Sequence, residues 1–294
     1  MPYVIMLLSS VFNIASGSLI KQYEKKHTSG RFIYLTILCL FSALFFLVTD
    51  TNGLCFTSKL MVYGLLSGFF YCSAYFLTFV AYAQGSFALT NLIVSFSFVS
   101  TIVYGLFFLH EELSLCGIIG IVLVVISIFV INFPQKKAEK KAFSLKWLLA
   151  VLGCFAGNGA IAVIRKIQQL EFHNAYDNEY SMVMTGSAFL VFLLISLLRE
   201  REEWRHFFEP SRLYAVGSGV CNGAQNFAVL LVNRTMMLSL AGPLLAGVSM
   251  LLNFAASRII FKEKFTKTQL IGAVLGVLAI LVNGCGDAVI ALLQ

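Results

Sequence analysis

The chain has 294 residues, of which 59% are hydrophobic and 12% are charged, and its mean hydropathy is +0.86. This composition excludes one or two ordinary soluble domains. The formal charge of +7 does not indicate a nucleic-acid-binding surface, because the Lys and Arg residues flank long apolar runs, where positive charge sets the orientation of a membrane protein.

Ten apolar runs, each long enough to cross a bilayer, predict ten transmembrane helices. Backbone polar groups in lipid must be satisfied internally, and the runs lack strand alternation, so we expect helices and not a barrel. The first run has no basic leading region and no clear cleavage site, so we expect it to remain in the mature protein. The predicted spans are Tyr3–Ile20, Phe32–Val48, Leu60–Ala81, Phe87–Phe108, Leu115–Phe133, Trp147–Ile164, Met182–Leu198, Leu213–Val232, Leu238–Ile260 and Leu270–Leu292.

The two halves of the sequence repeat one design on either side of a basic stretch with five lysines. Three short patterns recur in the same order: NIASGSLIK from Asn13 and NGAIAVIRK from Asn158, GLLSG from Gly64 and GVCNG from Gly219, and EELSLCGIIG from Glu111 and EKFTKTQLIG from Glu263. We therefore predict a first five-helix repeat over residues 1–133, a basic linker over 134–146 and a second repeat over 147–294.

An odd number of spans in each repeat requires the two copies to have opposite orientations in the membrane. The predicted fold is an all-α integral membrane protein with ten transmembrane helices in two inverted five-helix repeats, an architecture that is frequent among secondary transporters. Loops on the side of the linker carry 17 Lys and Arg residues, and loops on the other side carry 4. The positive-inside rule then places the linker in the cytoplasm and both termini outside.

The corner that closes the fourth span of each repeat carries the clearest motif. It reads Glu111-Glu112-Leu113 in the first copy and Glu263-Lys264-Phe265 in the second, and a glycine-rich helix follows each. With the ten-span repeat, these residues resemble the EamA-like branch of the drug/metabolite transporter superfamily over essentially the whole chain. The resemblance implies a permease for small molecules, with a cavity lined mainly by spans one, three, four, six, eight and nine. It also implies cytoplasmic termini, opposite to the charge count, so the direction of transport stays open.

Polar side chains on the eighth span form the leading candidate for a substrate site. Asn222, Gln225 and Asn226 recur at helical spacing, so they lie on one stripe. Carboxamides cannot face lipid cheaply, and they either join helices or line a wet cavity. On the third span, Tyr71 and Tyr75 share a face, and a buried hydroxyl needs a partner. We expect one carboxamide wall and one aromatic wall, suited to a neutral or zwitterionic solute.

Asn13 and Asn158 occupy matching positions midway along the first and sixth spans and are further candidates for substrate binding. Asn91, at the start of the fourth span, could bind substrate or cap its helix. At the matching point of the ninth span, Gly242 and Pro243 are predicted to form a hinge, because proline removes a backbone hydrogen bond.

Several chemistries lack the residues that they need. No Asp or Glu lies in the middle of a span, which disfavours proton-coupled export of cationic drugs. The sequence shows no phosphate-binding loop, nucleophile elbow or metal-ligand set, and the cysteines lack disulfide or metal spacing. We therefore expect no enzymatic activity, no cofactor and no bound metal.

We expect a secondary transporter in a bacterial inner membrane that exports a small neutral or zwitterionic metabolite, such as an amino acid, by alternating access. One alternative is an exchanger of anionic sugar or nucleotide-sugar metabolites that uses Lys21, Arg165 and Lys166. Another is a non-transporting scaffold or sensor. The expected partners are a small-molecule substrate and the lipid bilayer. The Gly272–Gly276 pair favours packing within the bundle, or alternatively a homodimer.

Overall fold

A computed structural model describes residues 2–26, 29–50, 53–84, 93–94, 96–132, 145–206, 209, 212–260 and 267–293. Over these residues the chain is helical, without strands. The α-helices are α1 Pro2–Lys26, α2 Arg31–Thr49, α3 Ser58–Gln84, α4 Val99–Phe107, α5 Leu115–Asn132, α6 Leu145–Glu171, α7 Asp177–Arg199, α8 Leu213–Thr235, α9 Leu238–Ile260 and α10 Lys267–Leu293. They follow the order of the ten predicted spans.

The helices carry the apolar surface of an integral membrane protein. Within the described part of the chain, α1, α2, α3, α6, α7 and α8 each contain a segment long and apolar enough to cross a membrane. Shorter apolar segments occur in the other four helices. Large apolar side chains point outward, with exposed fractions of 81% for Val48, 72% for Phe107 and 75% for Leu198. Such a surface suits contact with lipid.

The sixth helix differs from its predicted boundaries in a way that matters for the site. The sequence places its end at Ile164, before the first charged residue, but α6 continues to Glu171. The next helix begins at Asp177 instead of Met182. Arg165, Lys166, Gln168 and Gln169 therefore belong to a helix and not to a loop. The basic linker lies outside the described residues.

The chain divides into two compact units, and each takes segments from both halves of the sequence. Unit 1 comprises residues 1–72 and 164–234, and unit 2 comprises residues 73–163 and 235–294. Unit 1 contains α1, α2, α7 and α8 with parts of α3 and α6, whereas unit 2 contains α4, α5, α9 and α10 with the remaining parts. The inverted relation of the two sequence repeats stays a prediction.

Close helix contacts in unit 1 depend on glycine. A Cβ added at Gly219 of α8 would lie 2.5 Å from the carbonyl oxygen of Leu38 in α2, and one added at Gly223 would lie 2.8 Å from the side chain of Phe45. No larger residue fits without a shift, so these glycines allow α2 and α8 to approach one another. The same approach brings polar groups of the two helices together.

Unit 2 is held mainly by apolar packing. Phe98, Val124, Ile128 and Ala279 form a buried cluster that joins residues near α4 with α5 and α10. In addition, the Ser127 hydroxyl donates to the carbonyl oxygen of Gly272 at 2.7 Å, and a Cβ added at Gly276 would lie 2.7 Å from the same hydroxyl. The small-residue face of α10 therefore packs against α5.

Glu111, in the corner after α4, binds the first residues of α9. Its carboxylate accepts hydrogen bonds from the backbone N–H of Leu238 at 2.8 Å, the backbone N–H of Ser239 at 2.8 Å and the Ser239 hydroxyl at 2.6 Å. The first N–H groups of a helix have no partner within it, and a negative charge there is favourable. This corner is thus a helix cap supplied by a residue far away in sequence.

Candidate functional site

The carboxamide oxygen of Asn222 is the centre of a buried network in unit 1. It accepts hydrogen bonds from the Tyr71 hydroxyl at 3.0 Å, the Ser42 hydroxyl at 3.2 Å and Asn226 Nδ2 at 3.2 Å. Asn222 is 6% exposed and Ser42 is fully buried. Three helices, α2, α3 and α8, are therefore joined through a single oxygen atom.

Asn226 extends this network by one helical turn to a positive charge. Its Nδ2 also donates to the backbone oxygen of Asn222 at 3.0 Å, which orients the carboxamide. The other end of the group, Oδ1, accepts a hydrogen bond of 2.8 Å from Nη2 of Arg165 on α6. We call the set Ser42, Tyr71, Arg165, Asn222 and Asn226 the Asn222 network.

Arg165 is the charged member of the network and is only 5% exposed. Among the described residues, no carboxylate lies within ion-pair distance of its guanidinium, and its Nε has no hydrogen-bond partner. The Tyr180 side chain of α7 is a second, neutral hydrogen-bonding neighbour of Arg165, whose charge acts over a longer range on Asp177. The guanidinium therefore keeps a buried donor and an incompletely balanced charge.

The groups near Arg165 are mostly engaged with other partners. Asp177 is 3% exposed and pairs with Arg234 at 2.7 Å, and the same carboxylate oxygen accepts from Gln169 Nε2 at 3.0 Å. Tyr180 shares a hydrogen bond of 2.7 Å with the Ser67 hydroxyl. Asp177 is therefore already neutralised by an arginine other than Arg165.

Of the residues predicted from sequence, the structure brings Tyr71, Asn222 and Asn226 into direct contact. Gln225 contributes its backbone oxygen to the hydroxyl of Ser9 at 3.4 Å, while its half-buried side chain makes no hydrogen bond to the described part of the Asn222 network. Asn13 is half-buried on α1, also in unit 1, and no hydrogen bond between described residues joins it to the network. Asn91 lies outside the described residues.

Four other predicted residues belong to unit 2. Tyr75 and Asn158 are half-buried there, on α3 and α6. A Cβ added at Gly242 would clash with the hydroxyl of Thr101, so this glycine serves the contact of α9 with α4. Pro243 lies inside α9 without ending the helix. A hinge at Gly242 and Pro243 stays a prediction.

Unit 2 also has an apolar groove of its own. Its volume is about 370 Å³, and its lining is apolar apart from the hydroxyl groups of Ser100 and Tyr104. The lining residues are Val99, Ser100, Val103, Tyr104, Phe108, Phe155 and Val163. The groove thus offers shape and apolar surface, whereas the charged and amide groups described above belong to unit 1.

Arg165 and Ser42 are the members of the network that sequence reasoning did not select for substrate contact in the leading hypothesis. Arg165 follows Asn158 by seven residues, which places both on one face of a helix. The predicted sixth span ends at Ile164, directly before Arg165, so the sequence names Arg165 only in the anion-exchanger alternative. Lys166, its neighbour, donates to the backbone oxygen of Asn233 at 2.7 Å.

Comparisons with known proteins bear on the family and the fold of the chain. Residues 1–133 match the EamA-like transporter family, which belongs to the drug/metabolite transporter superfamily. No curated protein matches the chain. A solved structure described only as "Crystal structure of protein" is similar, with a TM-score of 0.71 and 15% identity, and the match covers 96% of this chain and 94% of that one. At this identity the likeness shows a shared fold.

Proposed function

We propose, from the match of residues 1–133 to the EamA-like transporter family, that this membrane protein is a secondary transporter of a small neutral or zwitterionic metabolite. An amino acid is the type of solute that we favour. We place the protein in a bacterial inner membrane and propose export as its direction. Two inverted five-helix repeats would expose the solute alternately to the two sides of the membrane.

The observation that carries this proposal is the Asn222 network. Polar and charged groups are costly inside a membrane protein and tend to mark substrate pathways. The network joins two carboxamides, two hydroxyls and a guanidinium within helices that are apolar enough to cross a membrane. Carboxamides and hydroxyls both donate and accept hydrogen bonds without carrying charge, so they can hold a polar solute while the helices remain in lipid.

The network also supports a division of roles among its members. The Asn222 oxygen has three donors, so we assign Asn222 and Tyr71 first to holding α2, α3 and α8 together. Asn226 donates to Asn222 and accepts from Arg165, so a solute that displaces its carboxamide would change the hydrogen bonds of both residues. Asn226 is therefore the residue whose loss we expect to be most harmful to transport.

Two alternatives retain support from particular contacts. The saturated oxygen of Asn222 is what a non-transporting scaffold would show, because interhelical bonds would then use every polar group. The buried Arg165 is what an exchanger of anionic metabolites would show. In such an exchanger Lys166 would also face the solute, but here its ammonium donates to the backbone of Asn233.

Transport by purified protein in proteoliposomes tests the proposal. Vesicles loaded with unlabelled amino acids, sugars or nucleosides would be assayed for counterflow of the same labelled solute. We expect one solute class to exchange, and Asn226→Leu to lower the initial rate at least tenfold while membrane insertion is retained. Val220→Leu, on the exposed face of the same helix, is the matched control and should transport normally. Unchanged kinetics in Asn226→Leu would contradict the assignment of the site.

A further inference from the structure

We propose that Arg165 is the residue that binds the carboxylate group of the transported solute. The proposal rests on the function given above and makes it narrower, because it requires a solute with a carboxylate and excludes sugars, nucleosides and simple amines. Asn226 positions the guanidinium, and the solute supplies the negative charge that the described part of unit 1 does not place against it.

Charge balance among the arginines of unit 1 supports the proposal. Arg212 is as deeply buried as Arg165, but it pairs with Glu203 at 3.2 Å and also contacts the hydroxyl of Tyr23. Arg234 pairs with Asp177 at 2.7 Å. In the part of the chain that the structure describes, Arg165 pairs with no carboxylate within ion-pair distance, and its hydrogen-bonding neighbours are the neutral side chains of Asn226 and Tyr180. A buried charge without an opposite charge is costly, so its retention calls for a functional reason.

The geometry of the guanidinium fits a carboxylate that arrives from outside. Arginine has five donors in a planar fork, and carboxylates commonly accept two of them at once. Nη2 is held by Asn226 at 2.8 Å, and the buried Nε has no hydrogen-bond partner among the described residues. The Asn226 carboxamide is itself fixed by two bonds to Asn222, so the fork is held before the solute binds.

The single charge also favours a carboxylate over a phosphate monoester. A phosphate carries close to two negative charges at neutral pH, and sites for it usually combine several cations. The nearest cation in the sequence, Lys166, donates instead to the backbone of Asn233. Around Arg165 the other members of the network are neutral hydroxyls and carboxamides, which can accept from the ammonium group of a zwitterion.

The first experiment needs no ligand and compares thermal stability of purified variants. If Arg165 is kept for a ligand, Arg165→Gln removes a charge that has no carboxylate partner among the described residues, and the melting temperature should be unchanged or higher. Arg212→Gln is the control with a structural ion pair, and its melting temperature should fall. A fall in Arg165→Gln as large as that in Arg212→Gln would overturn the proposal.

The second experiment measures binding by the shift in melting temperature that a ligand produces. The probes are L-phenylalanine and L-leucine, each matched with the amine that lacks its carboxylate, together with glucose and glucose 6-phosphate. We expect an amino acid to stabilise the wild type and its amine to have no effect. In Arg165→Gln and Asn226→Asp the apparent Kd for the amino acid should rise at least tenfold, whereas Lys166→Gln should bind normally.

The outcomes separate this proposal from the function on which it rests. Equal binding of amino acid and amine, or an unchanged Kd in both Arg165→Gln and Asn226→Asp, would overturn the carboxylate site while leaving a transporter. Stabilisation by glucose 6-phosphate alone would replace the carboxylate with a phosphate. Exchange of glucose at the same rate by wild type and Arg165→Gln would also exclude the carboxylate. No exchange and no stabilisation by any probe would overturn the transporter and the site together.

Discussion

Unit 1 buries hydroxyls, carboxamides and an arginine in one connected network, whereas the buried clusters of unit 2 consist of aromatic and aliphatic side chains. The apolar cluster around Trp147, with Ala81, Ala150 and Val151, illustrates the second case. In unit 2 the carboxylate of Glu111 accepts hydrogen bonds from the first N–H groups of α9. The contrast teaches that the charge of Glu111 in unit 2 has structural partners, as do Arg212 and Arg234 in unit 1, while the charge of Arg165 has no carboxylate partner among the described residues.

We expect the largest effect from a substitution that disrupts the contact of α2 with α8 in unit 1. Alanine at Gly219 would place its Cβ against the backbone oxygen of Leu38, which cannot move as a flexible side chain could. We expect Gly219→Ala to lower the free energy of unfolding by about 1–3 kcal/mol, the usual cost of overpacking. Chemical denaturation in detergent measures this. Gly186→Ala, where no atom lies within 4 Å, should be neutral or slightly stabilising, and equal losses in both variants would contradict the contact.

A smaller effect is expected from the cap in unit 2. Glu111→Ala removes a carboxylate that accepts three hydrogen bonds at the start of α9. Loss of a cap typically costs about 0.5–2 kcal/mol, so the melting temperature should fall while substrate binding by the folded protein is retained. Glu112→Ala, at the exposed neighbouring position, should change stability by no more than about 0.5 kcal/mol. Loss of binding without loss of stability would assign Glu111 a different role.

The smallest effect is expected from Tyr71→Phe in unit 1. The change removes one of three donors to the Asn222 oxygen and leaves the other two. Side-chain hydrogen bonds between membrane helices average about 0.6 kcal/mol, so stability should fall by roughly that amount. Transport should change by less than threefold, because the hydroxyl joins helices. A tenfold rise in KM with unchanged stability would instead make Tyr71 a substrate contact, as the sequence pattern suggests.

The regular features of this protein could be predicted from the sequence. Hydrophobic runs gave the order of the helices, and helical spacing placed Asn222 and Asn226 on one stripe. Tyr71 and Asn222 are 151 residues apart, yet the sequence identifies both as candidates for a substrate site, because buried polar groups need hydrogen-bond partners. By contrast, Arg165 was taken for the end of a span, because local hydropathy cannot show that Asn226, 61 residues away, will receive its guanidinium.

The roles of glycine and glutamate were also hidden from sequence reasoning. The sequence pattern predicts a hinge at Gly242 and Pro243, whereas the structure shows a close contact of Gly242 with Thr101, which depends on how closely two helices approach. Glu111 belongs to a visible motif, but its hydrogen bonds to Leu238 and Ser239 depend on tertiary structure. Periodicity identifies the face of a helix, but not its distance from the next helix.

The length of α6 bears on the depth in the membrane at which Arg165 would meet a solute. Its 27 residues extend about 40 Å, roughly 10 Å more than the hydrocarbon core. The polar residues Gln168, Gln169 and Glu171 indicate that the excess lies at the carboxyl end. Arg165 precedes that end by six residues, or about 9 Å, so we expect its position on the helix to be near the boundary of the hydrocarbon on that side. A carboxylate would then shed its water of hydration close to the headgroups, and only the uncharged remainder of the solute would extend towards the bilayer centre.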